Sequence, residues 1–416
     1  MNLSRRSFLY GLAAAPLLRL PATPARRGQA RALIVVWLDG GASHLDTFDG
    51  KPGAPVDLRG DLRCRETPLE GVFFSEHLSQ LAALMPRCAL LRSLSHGEGN
   101  HDRGTHYLLT GRRPSPVLVH PSLGAVLAAG AGDSDATPAY VCIPDAPDYG
   151  GVGFLPQTAA PFEIGGDPSR PDFAVRDLQA RASDRRALGL VDELDRLDGA
   201  PRSASEAARD RFLRQARDLS AEPETRAPFA LDDEPPAVRQ RYGRHRLGQS
   251  LLLARRLVER GTTRIALVRD RGWDHHVGIA RALTYGFPPK LTALDGAVSA
   301  LIEDLDHRGL SDRVAVCVAS EFGRTPRLNP AGGRDHWARA QSVLLFGAGL
   351  RRGVVVGRTD ARGEEPVERP LSPADLFATL LTVLGSDTER ILHTPAGRPI
   401  RLVEDGAAPI AEILAS

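Results

Sequence analysis

The chain has 416 residues, 42% hydrophobic and 25% charged, which suits one large α/β domain or two smaller ones in a water-soluble protein. Its 53 basic and 51 acidic residues are interleaved and leave a net charge of +2, so no stripe of one sign exists to follow a nucleic-acid backbone. The four cysteines, Cys64, Cys88, Cys142 and Cys317, lack the paired spacing of a zinc knuckle or a disulfide scaffold.

In chain order, residues 4–10 read Ser-Arg-Arg-Ser-Phe-Leu-Tyr, followed by a mostly apolar run to Leu20 and small residues near Ala22 and Ala25. A basic start and an apolar stretch too short for a bilayer are similar to a twin-arginine signal. Residues 1–30 are therefore expected to address the twin-arginine export machinery and to stand outside the fold. That machinery carries folded proteins, so metal loading would precede delivery to the periplasm or beyond. Nothing after residue 30 reads as a membrane span.

Residues 32–38 are an unbroken apolar run ending in Asp39-Gly40-Gly41, the pattern of a strand buried on both faces of a parallel sheet. Similar runs at 88–91, 140–143, 264–268, 314–319 and 342–346 alternate with helical patterns, which predicts an α/β sheet. One helix is expected over 247–259 before Gly261. Another starts at Ser372 as N-cap, with Pro373 at the first position and Asp375 in the first turn, and runs to Leu384. Between about 150 and 245, Pro, Ala, Arg and Asp dominate, and amphipathic patterns near 187–197 and 207–219 predict a helical insertion.

Ligands of parallel sheets gather at the carboxyl ends of the strands, and the polar clusters fall there. Asp39, Ser43, His44, Asp46 and Asp49 follow the first run; His96, Asn100, His101, Asp102 and His106 follow the second. Asp274, His275 and His276, then Glu321, then Asp335 and His336 complete the set. Divalent metals take carboxylate and imidazole ligands from several loops. On an extended segment Asp274 and His276 project to one side while His275 turns away. A helix capped by Asn100 puts His101 and Thr105 on one face, and Asp102 and His106 on another. Arg324 is suited to a bidentate grip on phosphate or sulfate, or to pairing with Glu321. Gly332 and Gly333 allow close backbone approach ahead of Asp335 and His336.

Five stretches carry a resemblance that spans nearly the whole chain. They are Trp37 through Asp49 with Lys51-Pro52, Asn100-His101-Asp102 through Thr110-Gly111, Gly272-Trp273-Asp274-His275-His276, Glu321-Phe322-Gly323-Arg324-Thr325-Pro326, and Gly333-Arg334-Asp335-His336-Trp337. The chain resembles the DUF1501 family, a sulfatase-like group placed in the alkaline phosphatase superfamily. The resemblance implies a three-layer α/β/α sandwich with a mainly parallel central sheet. It also implies one or two divalent ions, zinc first with manganese, calcium or iron as alternatives, and hydrolysis of a phosphate or sulfate ester. Asp39, Asp274, His276, Glu321, Asp335 and His336 are the implied metal ligands, and Arg324 and Arg334 would grip the anion.

The departure is at the nucleophile. Aligning Thr110-Gly111 with the Thr-Gly that closes the superfamily's nucleophile helix puts His101 where a Ser, Thr or formylglycine stands. The Cys-x-Pro-x-Arg pattern that matures to formylglycine is absent. His101 is therefore expected as general base, metal ligand or covalent acceptor. Two other readings compete with an exported hydrolase. One is a non-catalytic module of the same fold that binds an extracellular polymer or protein. The other is a serine hydrolase using Ser43 or Ser93, although neither lies in a Gly-x-Ser-x-Gly elbow.

Overall fold

The computed structural model describes residues 30–131, 138–175, 227–261, 263–284 and 290–415. The expected export signal and the amphipathic patterns at 187–197 and 207–219 lie outside the described residues.

Strand β1 is Ala32–Asp39, and its alternate residues enter two separate apolar clusters: Leu33, Val35 and Trp37 on one face, Ile34, Val36 and Leu38 on the other. A strand that buries both faces has to sit inside a sheet with helices on each side. The remaining strands of that sheet are β2 (Ala89–Leu94), β3 (Tyr140–Ile143), β4 (Phe162–Glu163), β5 (Ile265–Arg271), β6 (Val314–Ala319), β7 (Gln341–Gly347) and β8 (Val354–Val356). Their order is β8-β2-β7-β6-β1-β5-β3-β4. Every neighbouring pair is parallel except the two made by β7, which runs against both β2 and β6.

Helices α1 (His101–Thr110), α2 (Leu123–Gly130) and α5 (Pro373–Val383) cover the Trp37 face. Helices α3 (Arg246–Glu259) and α4 (Lys290–His307) cover the other. The result is the expected three-layer α/β/α sandwich. Local signals fix the helix ends: Asn100 caps α1, which stops at Gly111 with φ 63°, and Ser372 and Asp375 form a reciprocal capping box on α5. No described helix is long and apolar enough to cross a membrane, and Cys64, Cys88, Cys142 and Cys317 are all free thiols.

The direction of β7 decides which loops meet. Because β7 runs against the others, the loop that precedes it opens at the same edge as the loops that follow β1, β2, β5 and β6. Residues 333–340 therefore join residues 40–49, 95–100, 272–278 and 320–325 at one rim of the sheet.

Candidate metal centre

Glycines let these loops touch. Gly40 has φ 121°, and a Cβ on it would stand 2.6 Å from the backbone nitrogen of Asp274; one on Gly41 (φ 82°) would stand 2.5 Å from the Phe322 ring. A side chain on Gly333 would run into the backbone of His276. Residues 275–279 are tied to the 329–334 loop by Arg334 N–H to His275 O at 2.9 Å, Ile279 N–H to Gly332 O at 2.9 Å and Asn329 Nδ2 to His276 O at 2.9 Å.

Three imidazoles from three loops meet at one carboxylate. His336 Nδ1 lies 2.8 Å from the carbonyl of Gly99, His276 Nδ1 2.8 Å from Asp335 Oδ1, and His101 Nδ1 2.7 Å from Glu321 Oε1. A carbonyl or an ionised carboxylate can only accept, so each Nδ1 carries a proton and, in the neutral imidazole, each Nε2 keeps its lone pair. All three Nε2 atoms turn to Asp274: His276 and His336 lie 2.9 Å and 3.4 Å from its Oδ1, and His101 lies 3.5 Å from its Oδ2. The Nε2 atoms of His276 and His336 are only 3.1 Å apart. Arg324 donates to Asp274 Oδ1 and points at His276 Nε2, and the acceptors left this closely crowded call for a further cation or added protons. The cluster is half open to solvent, with side-chain exposures from 25% for His336 to 45% for Asp274.

The charges are graded across the cluster. The hydrogen bond to Glu321, with the charges of Glu321 and Asp274, raises His101 above the ordinary imidazole value. Burial lowers His336, assisted by the charges on His101 and Arg324. Desolvation would raise Asp274, but the hydrogen bond and charge of Arg324 outweigh it and hold the carboxyl below its usual range. His276 and Asn329 lower Asp335 by hydrogen bonding. His336 is thus kept in the neutral form that binds metals, and Asp274 in the ionised form.

The expected site residues fall into three groups. Asp274, His276, His336 and His101 converge. Glu321 and Asp335 stand one bond further out, behind His101 and His276; Glu321 is 1% exposed and also accepts from the Gly40 N–H at 2.9 Å. Asp39 is directed elsewhere, its oxygens taken by Arg269 Nε at 2.9 Å and Trp37 Nε1 at 3.3 Å. Arg324 is fully buried, with its N–H groups aimed at the carbonyls of Gly40, Gly41 and Arg334, at Asp274 and, at 3.4 Å, at His276 Nε2. It steadies Asp274 and has no donor left for a substrate. Arg334, also buried, pairs with Asp46 at 2.6 Å and donates to the carbonyls of Leu58, Thr325 and Pro326.

His44 Nε2 lies 2.8 Å from the Gly363 carbonyl, and as a carbonyl only accepts, the imidazole is the donor. His275 packs edge-on against Trp273, away from the cluster as the strand parity required. His106 is 2% exposed and donates to the Arg112 carbonyl at 3.0 Å, on the α1 face that does not look into the centre. Ser43 donates to Asp46 at 2.5 Å and Ser93 to the Arg369 carbonyl at 2.6 Å, both buried, so neither hydroxyl is presented to a histidine or to solvent. Sequence reasoning missed Asn329 and the Gly99 carbonyl. Asn329 had a readable signal, since its Oδ1 accepts from the N–H groups of Ala331 and Gly333 in a local turn. Gly99 had none.

The family model for DUF1501, described as a protein of unknown function, matches residues 30–414. No curated protein matches the sequence. Among solved structures the chain is similar to the phosphonate monoester hydrolase from Silicibacter pomeroyi, at 15% identity over 92% of this chain and 78% of that one, with a TM-score of 0.34. It is similar to a lipoteichoic acid synthase from Listeria monocytogenes at 10% identity over 93% and 76%, with a TM-score of 0.39. It is also similar to the alkaline phosphatase from the Antarctic bacterium TAB5 at 9% identity over 86% and 99%, with a TM-score of 0.38. Scores this low leave the functional reading to the residues of the centre itself.

Proposed function

The chain belongs to the DUF1501 family, and from that premise we propose that it is a metal-dependent hydrolase of alkaline phosphatase type, acting on a phosphate or sulfate ester after twin-arginine export to the periplasm or beyond. The observation that carries the reading is the convergence of three Nε2 lone pairs on the Asp274 carboxylate, each imidazole oriented by an acceptor on its Nδ1. Outer partners of this kind fix the tautomer and aim of metal-binding histidines.

The donor set fits a divalent ion. Ligands about 2.0–2.2 Å from zinc stand roughly 3.3–3.6 Å apart in a tetrahedron; His336 Nε2 lies 3.4 Å from Asp274 Oδ1 and His101 Nε2 3.5 Å from Asp274 Oδ2, while His276 Nε2 sits closer in, 2.9 Å from Oδ1 and 3.1 Å from His336 Nε2. Asp274, His276 and His336 would hold the ion, with His101 completing the set. Such an ion supplies Lewis-acid polarisation of an ester oxygen. The chain's own groups do the rest. Arg324 fixes the Asp274 carboxylate, and α1, whose first residue is His101, turns its positive end toward the anion. Where His101 stays off the ion, its raised pKa suits it instead to carry a proton at Nε2 to or from the ester or water.

The test is elemental analysis of protein purified without added metal, alongside Asp274→Ala, His336→Ala and His101→Ala, followed by turnover of 4-nitrophenyl phosphate and sulfate. Stoichiometric metal lost in the first two variants, with metal-dependent turnover by the parent, supports the hydrolase. Retention of metal by His101→Ala with loss of turnover assigns His101 the proton. Metal without turnover turns the reading to a binding module of the same fold. A metal-free parent, as stable as its variants, removes the centre altogether.

A further inference from the structure

Phe322 is completely buried, yet it joins neither of the two apolar clusters that fill the layers of the sandwich. A side chain of that size usually leaves water by entering a core. Its neighbours here belong to the centre instead. The ring centroid lies 4.7 Å from that of His336 and 5.1 Å from that of His101, with the planes inclined by 34° and 37°, and the guanidinium carbon of Arg324 stands 5.9 Å away. These are distances of direct aromatic and cation–π contact. The two imidazoles in turn meet each other at 4.3 Å. All three side chains that face the ring are among those that converge on Asp274.

Two glycines make room for it. A Cβ on Gly41 would crowd one edge of the ring, at Cε2 and Cδ2, and a Cβ on Gly104 would stand 3.0 Å from Cδ1 on the opposite edge. Gly104 lies in the first turn of α1, three residues after His101 and on the same face of the helix. Glycine inside a helix weakens it, so this one has a packing reason: it lets α1 settle on the ring with His101 alongside. The imidazoles lie between the ring and solvent, His101 being 35% and His336 25% exposed in their side chains.

We propose that Phe322 is a positioning residue of the centre, an apolar wall that sets the planes of the His101 and His336 imidazoles and closes the inner side of the centre to water. This deepens the metal reading and rests on it. Each imidazole is held at Nδ1 by a single acceptor, Glu321 Oε1 for His101 and the Gly99 carbonyl for His336. One hydrogen bond fixes where Nδ1 points and leaves the ring free to turn about that line. Contact with Phe322 removes the freedom. With water kept out behind the imidazoles, a ligand position left open by the protein faces solvent.

The experiment is titration of the chelator-stripped parent, Phe322→Leu and Phe322→Ala with Co2+, followed by visible absorption, together with melting temperatures of the metal-free proteins. Leucine keeps the space apolar without a flat face, whereas alanine leaves room that water can enter. The parent is expected to show the intense bands of a four-coordinate ion. Phe322→Leu should melt within a few degrees of the parent and bind Co2+ about tenfold more weakly, the low end of the loss when an outer partner is removed. Phe322→Ala should also show weaker bands, because added water raises the coordination number. Parent affinity kept in Phe322→Leu, or parent band intensity kept in Phe322→Ala, overturns the proposal and leaves the metal centre in place. Where Phe322→Ala does not fold, the affinity of Phe322→Leu decides alone. A Phe322→Leu protein that is itself unfolded without metal makes the ring structural and overturns the role. A parent that binds no Co2+ overturns the metal centre and this role with it.

Discussion

At the scale of single residues, Glu321 and Asp335 act through the imidazoles they orient. Glu321→Gln replaces an acceptor with an amide whose NH2 group can face His101 Nδ1 and favour the wrong tautomer. Loss of an outer partner typically weakens metal binding by about 10- to 100-fold. We expect Glu321→Gln and Asp335→Asn to fall in that range, measured by chelator competition, while Asp274→Ala loses the metal outright. Partly buried histidines set a second expectation. Burial pushes His96, His120 and His275 down to about 4. Below the unfolded value of about 6.5 the unfolded chain therefore takes up protons that the folded chain refuses, and stability falls as pH drops from about 6.5 toward 4. The raised His101 works in the opposite sense, its contribution being lost as pH rises through its folded value, and the lowered Asp274 and Asp335 hold theirs until pH falls below the usual carboxylate range. Melting temperatures between pH 7 and pH 4.5 should decline, and His96→Gln should flatten the decline. An unchanged melting temperature over that window excludes neutral imidazoles held by partial burial.

At the scale of elements, local and long-range contributions separate cleanly. Ser372 caps α5 on the Trp37 face, its hydroxyl bonded to Asp375 and to none of the centre's residues, and Ser372→Ala should cost about 1 kcal/mol in urea unfolding with metal content unchanged. Gly333→Ala differs, because its Cβ would enter the backbone of His276 and push apart the loops that carry Asp335, His336 and His276. Overpacking of this kind costs roughly 1–3 kcal/mol, and here the same displacement falls on the ligands. We expect Gly333→Ala to lose both stability and metal; full metal content in a folded Gly333→Ala variant would contradict the close approach. The Arg334–Asp46 pair explains why the loop can be so demanding. It ties that loop to the one after β1 in a buried setting where removing one partner strands the other.

At the scale of the whole molecule, five loops separated by as many as several hundred residues are brought together by the sheet, and an ion held by Asp274, His276, His336 and His101 would tie α1, β5 and β7 into one unit. Ligand linkage makes such an ion stabilising by about 2.7 kcal/mol when its free concentration is a hundred times its dissociation constant. A chelator should therefore lower the melting temperature of the parent and leave Asp274→Ala unmoved. Equal effects on the two proteins would mean that the chelator acts somewhere other than this centre.

The sequence by itself determined the α/β class, the central strands and the helix ends, because these depend on short-range rules: an apolar run of strand length, a capping serine, a glycine after the last turn. It also supplied the residue types of the centre, and the parity of Asp274 and His276 put both on one side of their segment. The same parity, carried one step further along β1, puts Asp39 on the face of Trp37, where Arg269 takes it. Only the tertiary structure decided which acids meet the three Nε2 atoms and which stand behind an imidazole, because Gly99 reaches His336 across 237 residues and Glu321 reaches His101 across 220. The reversal of β7 was equally invisible. A buried strand has the same apolar pattern in either direction, yet its direction determines that Asp335 and His336, which precede it, open at the rim where the other residues follow their strands.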